Sequence, residues 1–117
     1  MHEMAYVRNV VEIVCEYAQR AGAKEVRTVR LTIGEARDII EDYFQGLFRH
    51  LAKDTIASQA EIIITRTPLT VHCNQCKTVF PLNVYDQSTW ICPTCGAEHD
   101  YKVYSGMEFS VDEIIVV

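Results

Sequence analysis

Cys73-Asn74-Gln75-Cys76 and, after fifteen intervening residues, Cys92-Pro93-Thr94-Cys95-Gly96 are the stretches on which the reading of this chain turns. Two Cys-x-x-Cys pairs at this separation put four thiols on two tight turns, and two such turns facing each other form the tetrahedral sulfur cage that Zn²⁺ prefers. Gly96 supplies a permissive backbone where the chain bends away beneath the metal, and the fixed φ of Pro93 pre-forms its turn. A cage closed by four cysteines keeps no open coordination position, so it reads as structural. A metal that is handled rather than stored must then sit elsewhere.

Working outward from the knuckles, Thr78 to Phe80 and Tyr101 to Tyr104 are expected as short flanking strands, with Trp90 and Ile91 as a hydrophobic lid over the cage. Upstream, Met4, Val7, Val11, Val14, Ala18 and Ala21 recur at intervals of three and four, the stripe of an amphipathic helix that Gly22 stops. Cys15 lies beside that stripe and reads as a buried free thiol. Val26 to Ile33 alternates, with Val29, Leu31 and Ile33 on one face, and predicts a half-buried strand ending at Gly34. Ile40, Tyr43, Phe44, Leu47, Phe48 and Leu51 predict a second helix over about 39–53, with His50 at its dipole-favoured end, and Glu61 to Thr67 predicts another strand bounded by Pro68. After Gly106, the alternation of Met107, Phe109 and Val111 predicts a long strand. It needs a sheet to join, and the strands upstream of the ribbon supply one, so the ribbon at 68–105 is expected as an insertion between 1–67 and 106–117.

Composition excludes several function classes. The 117 residues carry a formal charge of −5, and zinc on four thiolates adds about −2 more. That sign repels phosphate backbones and argues against nucleic acid. No run of eighteen apolar residues suggests a membrane span, and Met1-His2-Glu3-Met4 lacks the features of a signal peptide, so a cytoplasmic protein is expected. Five cysteines, four at metal spacing and Cys15 alone, do not form a disulfide framework. An enzyme is not expected, because the closed cage offers no catalytic zinc.

Met1-His2-Glu3 has a chemistry of its own. An imidazole at position two, a free terminal amine and the intervening amides, which deprotonate when Ni²⁺ or Cu²⁺ draws on them, make a compact, square-planar nitrogen chelate. Zinc has no such geometric preference, so the motif discriminates by shape.

Met1-His2-Glu3, the strand end Leu31-Thr-Ile33-Gly34-Glu35, the Cys73/Cys76/Cys92/Cys95 ribbon and Gly106-Met-Glu108, taken together and in this order over essentially the whole chain, resemble the HypA/HybF family of hydrogenase-maturation nickel metallochaperones. The resemblance implies an α+β fold, with two helices on a three-stranded sheet as a nickel-binding lobe and an inserted zinc ribbon closed by four cysteines. It implies nickel as transient cargo on the Met1 amine, the His2 imidazole and Glu3, and structural zinc on the four cysteines. In some members an acidic side chain beyond the first strand joins the nickel; Ile40 stands at that point here, between Asp38 and Glu41. His72 and His99 correspond to histidines that flank the cysteines in some members. The partners implied are the maturation GTPase HypB, the hydrogenase large-subunit precursor and, in some organisms, urease accessory proteins, with the chain itself a monomer or weak homodimer.

Two readings from other classes use the same residues. A rubredoxin-like carrier would place iron on the four thiolates, but the first knuckle has Lys77 where the second has Gly96. A zinc-ribbon interaction module without nickel delivery would bind nucleic acid in a salt-sensitive way, against which the acidic balance counts.

Overall fold

Helix α1 (Glu3–Arg20) opens the computed structural model, which describes residues 3–37 and 39–117. Strand β1 (Val26–Gly34), helix α2 (Glu41–Leu51) and strands β2 (Glu61–Thr67), β3 (Thr70–Cys73), β4 (Val79–Pro81), β5 (Tyr101–Ser105) and β6 (Phe109–Val116) follow, with a 3₁₀ turn at Gln87–Trp90. The chain divides into two compact units: 1–32, 38–65 and 109–117 form the first, and 33–37 and 66–108 the second.

In the first unit, α1 buries Val7, Val10, Val11, Val14 and Ala18. Met4 and Ala21, expected at the ends of this stripe, are exposed, and Val10 takes a place that the expected spacing omitted. The helix stops as anticipated: Gly22 has φ 69°. Its N–H donates to the Gln19 carbonyl at 3.0 Å, while that of Ala23 reaches back to Ala18 at 3.0 Å. This reciprocal pair closes a helix end whose carbonyls would otherwise lack partners. Cys15 is half-buried rather than buried, and its thiol is free.

Helix α1 packs on α2 and on β6. Phe44 and Phe48 of α2 are fully buried, whereas Tyr43 is 54% exposed. The helix begins two residues later than expected, which leaves Ile40 outside it and 44% exposed. Gln45 ties α2 to the start of β2: its Oε1 accepts the Ile62 N–H at 2.9 Å and its Nε2 donates to the Ala60 carbonyl at 3.2 Å. Arg49 and His50 occupy the last turn, where the helix dipole favours cations.

One sheet has the order β2-β1-β6. The last strand therefore returns to β1, one of the two partners the sequence allowed. The second sheet has the order β4-β3-β5, with β3 antiparallel to both neighbours. β3 was not expected. Its buried face, Val71 and Cys73, continues the alternation from Leu69 and hides in four residues directly after a proline-marked boundary. No helix among the described residues is long and apolar enough to cross a membrane.

Candidate metal centre

The two knuckles have the same backbone. In the first, the Lys77 N–H donates to the Cys73 carbonyl at 3.0 Å and the Cys73 N–H to the Thr78 carbonyl at 2.8 Å. In the second, Gly96 donates to Cys92 at 3.0 Å and Cys92 to Ala97 at 2.9 Å. Each turn thus closes on its first cysteine. The residue after each second cysteine lies in the left-handed region, Lys77 at φ 69° and Gly96 at φ 76°. The missing glycine therefore does not break the first knuckle: lysine adopts the glycine conformation, at a steric cost of about 1 kcal/mol.

The four sulfurs lie within 4.8 Å of one another. Cys73 Sγ and Cys95 Sγ are 3.6 Å apart, and Cys76 Sγ and Cys92 Sγ 3.5 Å. A regular tetrahedron with Zn–S bonds of about 2.3 Å has edges of about 3.8 Å, so the donor set fits zinc. Separations this long are incompatible with a disulfide, whose bond is about 2.05 Å. The thiols are unequal. The Thr78 hydroxyl, 3.2 Å from Cys76 Sγ, and the Thr78 backbone bring the Cys76 thiol down to about 6. At Cys95 the Ala97 backbone favours the thiolate, but loss of hydration and the hydrogen bonds with Cys73, Cys76 and Cys92 outweigh it and push the thiol up to about 12. Crowded thiolates without a cation repel one another, which is the electrostatic reason for a divalent metal here.

Val71 and Phe80 pack around Cys73 and Cys92, with Leu82, Ala97 and Tyr101 beside them. Phe80 and Tyr101 meet edge to face at 6.3 Å. These residues, rather than Trp90 and Ile91, shield the sulfurs. The Trp90 indole N–H donates to the Asn83 carbonyl at 2.8 Å and its ring meets the edge of His99 at 5.6 Å, which holds it among the surrounding loops. Ile91 bridges to Glu98 next to inward-facing Cys92, so strand alternation turns Ile91 outward, 41% exposed. Asp100 fastens the first knuckle. Its carboxylate accepts from Asn74 Nδ2 at 2.8 Å and Gln75 Nε2 at 2.5 Å, and its carbonyl from the Asn74 N–H at 3.0 Å.

His72 and His99 do not join the sulfurs: the cluster of ligand atoms among the described residues contains the four cysteines alone. His72 stacks on Tyr104 at 6.5 Å, and His99 holds φ 54° against Trp90.

Of the nitrogen-rich start, Met1 and His2 lie outside the described residues, as does Asp38. Glu3 opens α1 and is only 3% exposed. Its Oε1 accepts the Ile40 N–H at 3.4 Å, so the first helix meets the chain at the position where some relatives were expected to place an acidic side chain. Glu41, the other acidic neighbour, is exposed on the first turn of α2. The burial of Glu3 was not legible in the sequence, because an acid in a first helical turn is ordinarily solvated.

The family described as hydrogenase/urease nickel incorporation, metallochaperone, hypA matches residues 1–116. A protein of Geobacter metallireducens described as hydrogenase maturation factor HypA is 36% identical over 116 residues, covering 99% of both chains. One from Thermococcus gammatolerans with the same description is 32% identical over 134 residues, covering 99% of this chain and 96% of its own. The solution structure of the nickel metallochaperone HypA from Helicobacter pylori superposes with a TM-score of 0.68 at 20% identity, over 100% of this chain and 98% of that one.

Proposed function

Because the chain belongs to the HypA family, one of metallochaperones rather than enzymes, we propose that it binds Ni²⁺ at its N-terminus and delivers it for maturation of nickel–iron hydrogenase, with urease as a further client. The observation that carries this reading is a family match that runs over residues 1–116, from Met1-His2-Glu3 through all four cysteines.

In this reading the Met1 amine, the His2 imidazole and the amides between them and Glu3 form a planar nickel chelate. Glu3 supports it in two ways. It is the first residue of α1, where backbone N–H groups have no acceptor inside the helix, so its amide proton can leave without breaking a helical bond. Its carboxylate, held against the Ile40 N–H, fixes the start of the helix that follows the chelate in the chain. Reprotonation of the amides reverses binding, which suits a carrier. Cys73, Cys76, Cys92 and Cys95 hold zinc, whose contribution is folding free energy rather than reactivity. The maturation GTPase HypB and the hydrogenase large-subunit precursor are the partners, met in the cytoplasm.

The test is nickel titration of untagged protein, of His2→Ala and of a form carrying one extra residue before Met1. The planar nickel absorption is expected in the first alone, with zinc near one per chain in all three. Equal nickel uptake by all three overturns the terminal chelate.

A further inference from the structure

A cleft of the first unit adjoins the residue that supports the proposed nickel chelate, and most of its lining takes no part in that site. Glu3, Met4, Asp42, Tyr43, Gly46 and Leu47 line a cleft of about 550 Å³ between the start of α1 and α2. Its walls are mostly apolar, Met4 and Tyr43 being 43% and 54% exposed. The two charged residues among the described lining are acidic. Glu3 is only 3% exposed, and its Oε2 has no hydrogen-bond partner among the described residues. A buried carboxylate oxygen without a donor is unfavourable, because it has given up water without gaining a replacement hydrogen bond.

Gly46 is the independent observation. It sits inside α2, and a Cβ there would meet nothing within 4 Å. Glycine in a helix interior is destabilising relative to alanine, and no contact among the described residues requires it. What the missing side chain does provide is close access to the helix backbone where α2 lines the cleft.

We propose that this cleft is a docking site for a partner protein segment that lays an apolar face over Met4, Tyr43 and Leu47, approaches α2 at Gly46, and inserts one arginine or lysine toward Glu3 and Asp42. The long stem of a basic side chain matches the apolar walls, and its charged head supplies the donors that Glu3 Oε2 lacks. A purely apolar occupant would seal that oxygen from water without a partner.

The test follows backbone amide resonances of the zinc-loaded full chain while a short Ala/Leu-based helical peptide with one central arginine is added. Saturable shifts are expected at Met4, Tyr43, Gly46 and Leu47. The same peptide with citrulline, isosteric but uncharged, should bind at least about tenfold more weakly. Gly46→Leu fills the cleft from an exposed helical position and should abolish the shifts, with the helical circular dichroism and nickel uptake unchanged. Glu3→Gln should weaken arginine-peptide binding by about the same factor as citrulline does. Equal binding of the citrulline peptide, full binding by Gly46→Leu, or no shift with the arginine peptide overturns the proposal. So does reproduction of the same shifts by nickel alone, which would make the cleft part of the metal site, or by raising protein concentration alone, which would make the occupant a second copy.

Discussion

Gly34 and Gly106 press backbone on backbone. A Cβ at Gly34 would fall inside the Gly106 carbonyl group and stand 2.6 Å from the Met107 nitrogen, and a Cβ at Gly106 would stand 2.7 Å from the Leu69 Cα. Gly106 also holds φ 110°, where side chains are strained. Hydrogen bonds seal the crossing: the Gly34 N–H donates to the Glu108 carbonyl at 2.7 Å and the Ala36 N–H to the Gly106 carbonyl at 2.8 Å.

Gly34→Ala is therefore expected to cost about 3 kcal/mol or more, because the obstacles are main-chain atoms that no rotamer change can move. Gly46→Ala, with open space around it, should instead gain up to about 1 kcal/mol. Urea unfolding of the two variants reads the contrast, and equal midpoints would contradict it.

Lys77 and Gly96 share one backbone conformation on paired knuckles. Lys77→Gly should relieve strain and stabilise the zinc-loaded protein by about 1 kcal/mol, and Gly96→Ala should destabilise it by a similar amount. Thermal unfolding at fixed zinc concentration measures both. A loss of stability in Lys77→Gly would mean that the 3.3 Å bond from Lys77 Nζ to the Asn74 carbonyl outweighs the strain.

Glu108 gives the crossing a pH dependence. The Thr67 hydroxyl and the Gly106 N–H, at 2.8 Å, donate to its carboxylate and hold it below the ordinary glutamate value of 4.5. A carboxyl depressed in the folded state contributes stability in full above its unfolded value and loses it as pH falls through the lower folded value. Stability should thus decline below about 4.5, and Glu108→Gln should flatten that part of the acid limb while lowering stability at neutral pH. An acid limb of unchanged slope in the variant would show that Glu108 does not carry it.

Stripping the metal tests the cage. Removal of zinc by chelator, or Cys92→Ser, forfeits on the order of 10 kcal/mol of binding energy coupled to folding. Amide protection in β3, β4 and β5 should collapse, because Cys73 and Cys92 are themselves part of the apolar cluster with Val71 and Phe80. Protection surviving chelation would show that the apolar cluster holds without the ion.

Elements whose apolar period is uninterrupted were legible from sequence. Val7, Val14 and Ala18 marked α1, Val29, Leu31 and Ile33 marked β1, and β2 lies within its expected bounds. Legibility failed where a local pattern was overruled by a distant group. Met4 belongs to the helical stripe by spacing, yet it lines the open cleft and stays exposed. Trp90 looked like a lid, but its indole N–H found an acceptor seven residues away. The four cysteines declared themselves because ligand spacing is a local property. The inward turn of Glu3 did not, because its hydrogen-bond partner lies 37 residues along the chain.

The place of β6 beside β1 has a consequence for biosynthesis. Residues 1–108, with every cysteine, precede Phe109–Val116 in the chain, so until that last strand is made the first sheet has one rim of β1 bare. Released chains that end at Glu108 should therefore acquire zinc protection of the four ribbon thiols while the β1 amides that would face β6 still exchange freely.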